Sequence, residues 1–356
     1  MSVTHTLFTV GPVEVRKEVL ESMTKPMITH RSKEYEKLQE GIVEKLHKTL
    51  DTDLNILMSP ASASGLLEGC VRSGVSSRML GLSNGSFGDR WQGIGTENGK
   101  DVRKVKVAWG KAIKPADVVP HLDDGIEAVT MVANESSTAV LNPVGEIAKA
   151  VREKHDPFIF IDAVTAAYGT DLKLRELEPD ALVFGTQKAL ALPPGLAIMC
   201  CSDRLLKKAE SVPNRGYYFD LVQMKKMADK NYSLTTPPVS LLYGLDFQLD
   251  RCLREGMANR YARHRQMAEM VRNWAKKNLG LYAEPGYMSD TITVIQRGSV
   301  DFSKLQKGLK ERGYEISNGY GDIKETTFRI GHMGDLTVEE VRGLLKNIDE
   351  VLEGQK

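Results

Sequence analysis

Several short, almost uninterrupted apolar runs, each followed by a segment of helical periodicity, constrain this chain more than any other feature. FIFID (158–162) and ALVFG (181–185) carry no polar alternation, so they fit strands covered on both faces; a half-exposed antiparallel sheet would alternate. DLNILMS (53–59), AVTMVAN (128–134) and LAIMCCS (196–202) have the same texture. Between and after them, GLLEGCVRSG (65–74), PVGEIAKAVREKH (143–155) and SDRLLKKAES (202–211) place apolar residues at three- and four-residue spacing, as crossover helices do. Strands alternating with helices predict an α/β fold with a mostly parallel central sheet in a large domain.

Beyond TTPPVSLLYGLDFQLDR (235–251) the pattern changes to a long helical tract over 255–278, with Tyr261, Met267, Met270, Val271 and Trp274 among its charges. The strand candidates TITVIQ (291–296) and TTFRIG (326–331) then alternate with helices over 303–313 and 337–353, which predicts a smaller C-terminal α+β domain. A length of 356 residues agrees with two domains at roughly 150 residues each. The division expected is an N-terminal arm over 1–15, a large domain over 16–250 and a small domain over 251–356.

The 48 Lys and Arg against 47 Asp and Glu leave a net charge of +1, so no global field recruits nucleic acid. Paired lysines such as Lys207-Lys208, Lys225-Lys226 and Lys276-Lys277 read as solvated helix faces. No run approaches the roughly 18 apolar residues of a membrane span, and the start, MSVTHTLFTV, has no leader pattern. A soluble, unprocessed, cytoplasmic protein is expected. Cys70, Cys200, Cys201 and Cys252 have neither CxxC spacing nor the density of a disulfide scaffold. Cys200 and Cys201 therefore read as buried strand residues, and no metal site is expected.

Two residues carry the chemistry. Asp162 follows FIFI, so its carboxylate emerges at the carboxyl end of a strand, where open α/β sheets gather ligands; Lys188 lies just beyond ALVFG and can reach the same crevice. An acid and a lysine meeting there suit pyridoxal phosphate, the lysine forming a Schiff base while the acid holds the pyridine nitrogen protonated. An ordinary ion pair, or two exposed side chains, would explain the pair alone equally well.

The surroundings narrow the choice. TVGPVEV (9–15), HRSKEY (30–35), NGSFGDRW (84–91), NESSTAV (134–140), DAVTAAYG (162–169), GTQKALALPPG (185–195), TPPVSLLYGL (236–245) and FRIGHMGD (328–335) follow one another as in the class V aminotransferases of fold type I. The chain resembles in particular the alanine–glyoxylate, serine–glyoxylate and serine–pyruvate group, over nearly its whole length. That resemblance implies that Lys188 carries the cofactor and Asp162 partners the pyridinium nitrogen, with Val164 on one ring face and Phe87 on the other. It places Ser136 near the ring hydroxyl and Gln187 at the phosphate.

The phosphate is expected at SPASASGLLEG (59–69), where small residues let backbone N–H groups approach at a helix N-terminus, with Ala63 and Ser64 as contacts. Relatives commonly show Ser-Gly-Thr-Gly here, so Ser62-Ala63-Ser64-Gly65 departs by an alanine. The resemblance also implies a homodimer in which Thr236 crosses to the neighbouring subunit's phosphate; Tyr232, the nearest aromatic before it, is one residue off the family's spacing. Arg329 matches the residue that binds the substrate's α-carboxylate, a task suited to its planar fork.

The expected activity is a ping-pong transamination from a small amino acid, serine or alanine, to a 2-oxo acid, glyoxylate or pyruvate. Aspartate or phosphoserine as donor is the alternative on the same chemistry. A cysteine desulfurase-like lyase is less favoured, because Gln187 precedes the lysine where desulfurases commonly carry a histidine. A nicotinamide enzyme is not supported, since GLSNGSFG lacks the dinucleotide fingerprint after a first strand.

Overall fold

The computed structural model describes residues 5–354; the first residues of the expected arm, 1–4, and residues 355–356 lie outside it. A seven-stranded sheet runs in the order Asn55–Ser59, Ala197–Cys201, Ala181–Gly185, Phe158–Asp162, Ala128–Val132, Arg78–Ser83, Asp101–Lys106. All neighbours pair in parallel except around Ala197–Cys201, which is antiparallel to both of its partners. The five runs read from the sequence form the edge strand Asn55–Ser59 and four interior strands, and every residue of Ala128–Val132, Ala181–Gly185 and Ala197–Cys201 is buried. Cys200 and Cys201 are strand residues in that core, and all four cysteines are free and buried.

Helices Ala63–Gly74, Val144–Arg152 and Asp203–Ser211 fall where the periodicity put them. No element is expected from the sequence at Arg78–Ser83, Asp101–Lys106 or Lys33–Leu50. DVRKVK is an edge strand that buries only Val105, so it lacks an apolar run. The helix Lys33–Leu50 is largely charged, but Ser32 caps it by accepting from Tyr35 N at 3.3 Å, and Tyr35, Ile42 and Leu46 bury one face.

The C-terminal part holds a five-stranded sheet, Thr6–Phe8, Tyr314–Asn318, Thr327–Gly331, Ile292–Gln296 and Gly280–Leu281. Its first strand comes from the beginning of the described chain and pairs in parallel with Tyr314–Ile316. Helices Met257–Asn278, Phe302–Glu311 and Val338–Glu353 pack on it through Met267, Val271, Leu305, Leu309, Leu344 and Ile348. Helix Val239–Glu255 is separated from Met257–Asn278 by Gly256, whose φ of +78° breaks the helical path at low cost for a glycine. Among the described residues no helix is long and apolar enough to cross a membrane.

Candidate active site

Five parallel strands of the large sheet end at one crevice, and each delivers side chains to it. Asn55–Ser59 leads to Ala63 and Ser64, Arg78–Ser83 to Phe87 and Arg90, Ala128–Val132 to Asn134 and Ser136, Phe158–Asp162 to Asp162 and Val164, and Ala181–Gly185 to Gln187 and Lys188. Together with Gly11 and Pro12 these residues line one cavity of about 300 Å³. Convergence at the carboxyl ends of strands is where an open α/β sheet builds its ligand site. A larger groove of about 730 Å³ also holds an acid and a lysine, Glu176 and Lys173 at 3.9 Å, but both side chains are largely exposed and keep their water, unlike Asp162 and Lys188.

Asp162 is the last residue of its strand and only 6% exposed; its Oδ1 accepts from Val164 N at 2.9 Å. Burial, reinforced by the nearby Glu135 carboxylate, pushes its carboxyl up to about 6. The Lys188 amine is pushed down to about 8, first by loss of water and then by the charge of Arg329. Its Nζ donates to the Val10 carbonyl. Gly11, at φ +118°, lies against this side chain so closely that a Cβ there would sit 2.8 Å from Lys188 Cδ. The loop is fixed from behind by Arg260, fully buried, which donates to Ala189 O at 2.6 Å and to Glu255 and Asp335 at 2.9 and 3.1 Å.

Arg329 lies in the middle of Thr327–Gly331 and is 8% exposed, although strand-borne arginines usually end in surface ion pairs. Both hydrogen bonds found for its guanidinium go to backbone carbonyls, Nε to Asn318 O at 2.8 Å and Nη1 to Ser136 O at 3.3 Å. Burial lowers its pKa to about 10, so it stays cationic at neutral pH. A buried cation that meets two carbonyl oxygens and the Tyr320 ring, and forms no ion pair among the described residues, suits a visiting anion, whose charge would compensate its lost hydration.

Glu135 and Asn134 were not singled out from the sequence. Glu135 is fully buried and accepts from Phe87 N and Gly88 N, both at 3.1 Å, and from Ser137 Oγ at 2.6 Å. It thereby caps helix Ser86–Glu97 and fixes Phe87, while burial raises its pKa. Asn134 is 3% exposed and lines the cavity, yet neither atom of its amide has a hydrogen-bond partner among the described residues. Such groups are rare in folded proteins and point to a missing ligand.

The donor set fits pyridoxal phosphate. A lysine that is readily neutral faces the cavity with a strand-end carboxylate and the orphaned Asn134 amide. The Gly65 amide donates to Ser62 O at 3.0 Å, but the amides of Ala63 and Ser64, at the start of helix Ala63–Gly74, receive no side-chain cap from Ser62 and can turn to a phosphate. Thr236 is the one cofactor candidate outside the cavity: it is exposed, and it does not cap the helix Val239–Glu255, whose N-cap is Pro238. Tyr232 donates its hydroxyl to Glu36.

Residues 88–327 match the family described as aminotransferase class-V. The chain is 31% identical to the serine–glyoxylate aminotransferase of Methylorubrum extorquens, over 95% of this chain and 89% of that protein. It is 29% identical to the L-aspartate–glyoxylate aminotransferase of Paracoccus denitrificans, over 95% and 88%. Among solved structures, a subgroup IV aspartate aminotransferase from Thermus thermophilus superposes with a TM-score of 0.91 at 25% identity, covering 98% of this chain and 99% of that one. The chain therefore belongs to the class-V aminotransferases, with the fold type I architecture and pyridoxal phosphate as cofactor.

Proposed function

We propose that this aminotransferase moves the amino group of a small amino acid, serine or alanine, to glyoxylate or pyruvate, with Lys188, Asp162 and Arg329 as its working residues. The observation that carries the reading is Arg329: a buried guanidinium whose hydrogen bonds go to two carbonyls and to no carboxylate, close enough to the cavity that its charge depresses Lys188. Glyoxylate is favoured as acceptor because the serine and aspartate enzymes similar to this chain share that word in their names while their donors differ. A small donor accords with a cavity of about 300 Å³ that must also admit the cofactor.

When bound, the cofactor supplies an electron sink conjugated to the substrate's α-carbon. Ala63 and Ser64 would hold its phosphate through the helix N-terminus, with Gln187 beside them. Asp162 would keep a positive charge on the ring nitrogen, with Val164 and Phe87 as the apolar residues for the two ring faces. Ser136 and the unpartnered Asn134 amide would serve its polar edge. Arg329 grips the α-carboxylate and so orients the Cα–H bond toward Lys188. The Lys188 amine, neutral in a large fraction of molecules near pH 8, would take that proton from the α-carbon and hold it for return.

In this reading the chain divides into an arm over 1–15, a cofactor domain over 16–250 and a small domain over 251–356. It works in the cytoplasm as a homodimer. Thr236, exposed and preceding two prolines, reaches the partner's phosphate; Pro237 and Pro238 restrict the backbone that presents it. Mixing an inactive Lys188→Ala protein with an inactive Thr236→Val protein should restore part of the activity, because both defects can fall in one site of a hybrid. No return of activity despite proven subunit exchange would remove Thr236 from the partner's site.

A desulfurase activity finds no support in the thiols, all four of which are buried, with Cys200 pushed up to about 12. The donor is tested by following cofactor absorbance as single amino acids are added to the loaded enzyme. Serine or alanine should convert it fastest. Faster conversion by aspartate or phosphoserine would replace the proposed donor.

A further inference from the structure

The ring that covers Arg329 has no role in the scheme above. Tyr320 follows strand Tyr314–Asn318 in the sequence Gly319-Tyr320-Gly321. Its ring stacks on Phe87 with centroids 5.8 Å apart and planes 21° apart, and the Arg329 guanidinium lies over it at 5.2 Å. The flanking glycines leave no room for side chains. A Cβ on Gly319 would lie 2.5 Å from Thr327 Oγ1 and 2.7 Å from Ile323 O. On Gly321, at φ +55°, it would lie 2.6 Å from Trp109 Cη2 and 2.9 Å from Ser86 Oγ. The loop thus holds one aromatic ring from the small sheet against Phe87 of the large one, yet leaves that ring 37% exposed.

Nε and Nη1 of Arg329 already serve Asn318 and Ser136, and one face of the guanidinium is covered by Tyr320. A carboxylate must therefore approach in the guanidinium plane, through the remaining N–H groups. That approach brings the carbon next to the carboxylate, and the side chain it bears, alongside the Tyr320 ring. We infer that Tyr320 is a specificity-determining residue: with Phe87 it forms the wall against which the substrate side chain lies, and it confines the enzyme to small side chains. The inference rests on Arg329 taking the α-carboxylate, as proposed above.

The test uses the cofactor-loaded enzyme with Tyr320 replaced by Ala, Leu and Phe. Two readouts are taken. The first is the half-reaction with serine, alanine, methionine and phenylalanine. The second is the perturbation of cofactor absorbance by lactate, which presents the carboxylate of alanine without an amine to transfer. Tyr320→Ala should raise the preference for methionine and phenylalanine over alanine by about tenfold or more, the scale on which pockets discriminate apolar groups. Lactate should bind about two- to fivefold more weakly, as loss of one cation–π contact implies. Tyr320→Phe should stay within about twofold of the parent on both, since the wall needs the ring and not the hydroxyl. Should the alanine variant fail to hold cofactor, Tyr320→Leu keeps apolar volume without the aromatic face and should show the weaker lactate binding alone.

Unchanged preference and lactate affinity in Tyr320→Ala, with an active parent, would overturn the role of Tyr320 and leave the proposed function standing. A Phe variant as altered as the Ala variant would overturn the wall. A parent that neither binds lactate nor accepts any of the four amino acids would overturn both.

Discussion

The wall that the seven-stranded sheet gives the active site is a row of strand ends buried on both faces, whereas the five-stranded sheet contributes one arginine and a glycine-flanked tyrosine. On the first side Asp162 and Lys188 are held by backbone contacts, Val164 N on one and the Val10 carbonyl on the other. On the second, Arg329 lies over the Tyr320 ring, and Tyr320 stacks on Phe87 across the junction. Rigid strand ends suit groups that must meet reacting atoms in a fixed geometry, and a separate sheet can alter what is admitted without disturbing them. Changes on the first side should therefore reach turnover and cofactor retention, and those on the second concentration dependence and selectivity.

The largest effect that would uphold this contrast is at Lys188. Lys188→Ala should fold, yet transaminate at least about 10⁴-fold more slowly, since it loses both the covalent anchor and the proton carrier. Steady-state kinetics check the loss and circular dichroism checks the fold. Next comes Asp162→Asn, which keeps the shape but not the charge at the ring nitrogen. Turnover should fall by about 10²- to 10³-fold and cofactor should dissociate more readily in equilibrium dialysis. Near-normal turnover would give this carboxylate another role and blur the division between the two walls.

On the other side, Arg329→Lys should leave cofactor absorbance intact and raise the KM for both amino acid and oxo acid by about ten- to a hundredfold, because an ammonium cannot reproduce two parallel bonds to a carboxylate. A purely kcat effect would move Arg329 to the chemical side. The smallest expected effect couples the two walls. Capture of cofactor needs the neutral Lys188 amine, so its rate should rise through about pH 8 and level off above. The positive charge of Arg329 helps to hold that pKa down, so Arg329→Gln should raise it and move the whole profile to higher pH, by up to about one unit. A shift in the opposite direction would contradict the proximity of the two cations.

The first wall was also the more legible in the sequence. FIFI and ALVF announced buried strands, and the residues after them fell at strand ends because a parallel sheet leaves its carboxyl ends free of hairpins. The second wall was legible at Arg329 only through resemblance, since one arginine in a strand has no local signature. Glu135 was invisible for a different reason: it caps a helix that begins 49 residues earlier, so no capping pattern exists near either partner. Tyr320 likewise gains its meaning from Phe87, in the first turn of helix Ser86–Glu97, and from Arg329, on strand Thr327–Gly331. The edge strand Asp101–Lys106 was missed because solvent exposure removed the apolar run on which strand recognition depends.

The lysine that carries the cofactor decides whether this cavity is the active site. Borohydride reduction of the loaded protein, followed by proteolysis and mass mapping, should place the adduct on Lys188 within GTQKALALPPG, and nowhere else in appreciable yield. An adduct on a different lysine would contradict the assignment of this cavity as the active site.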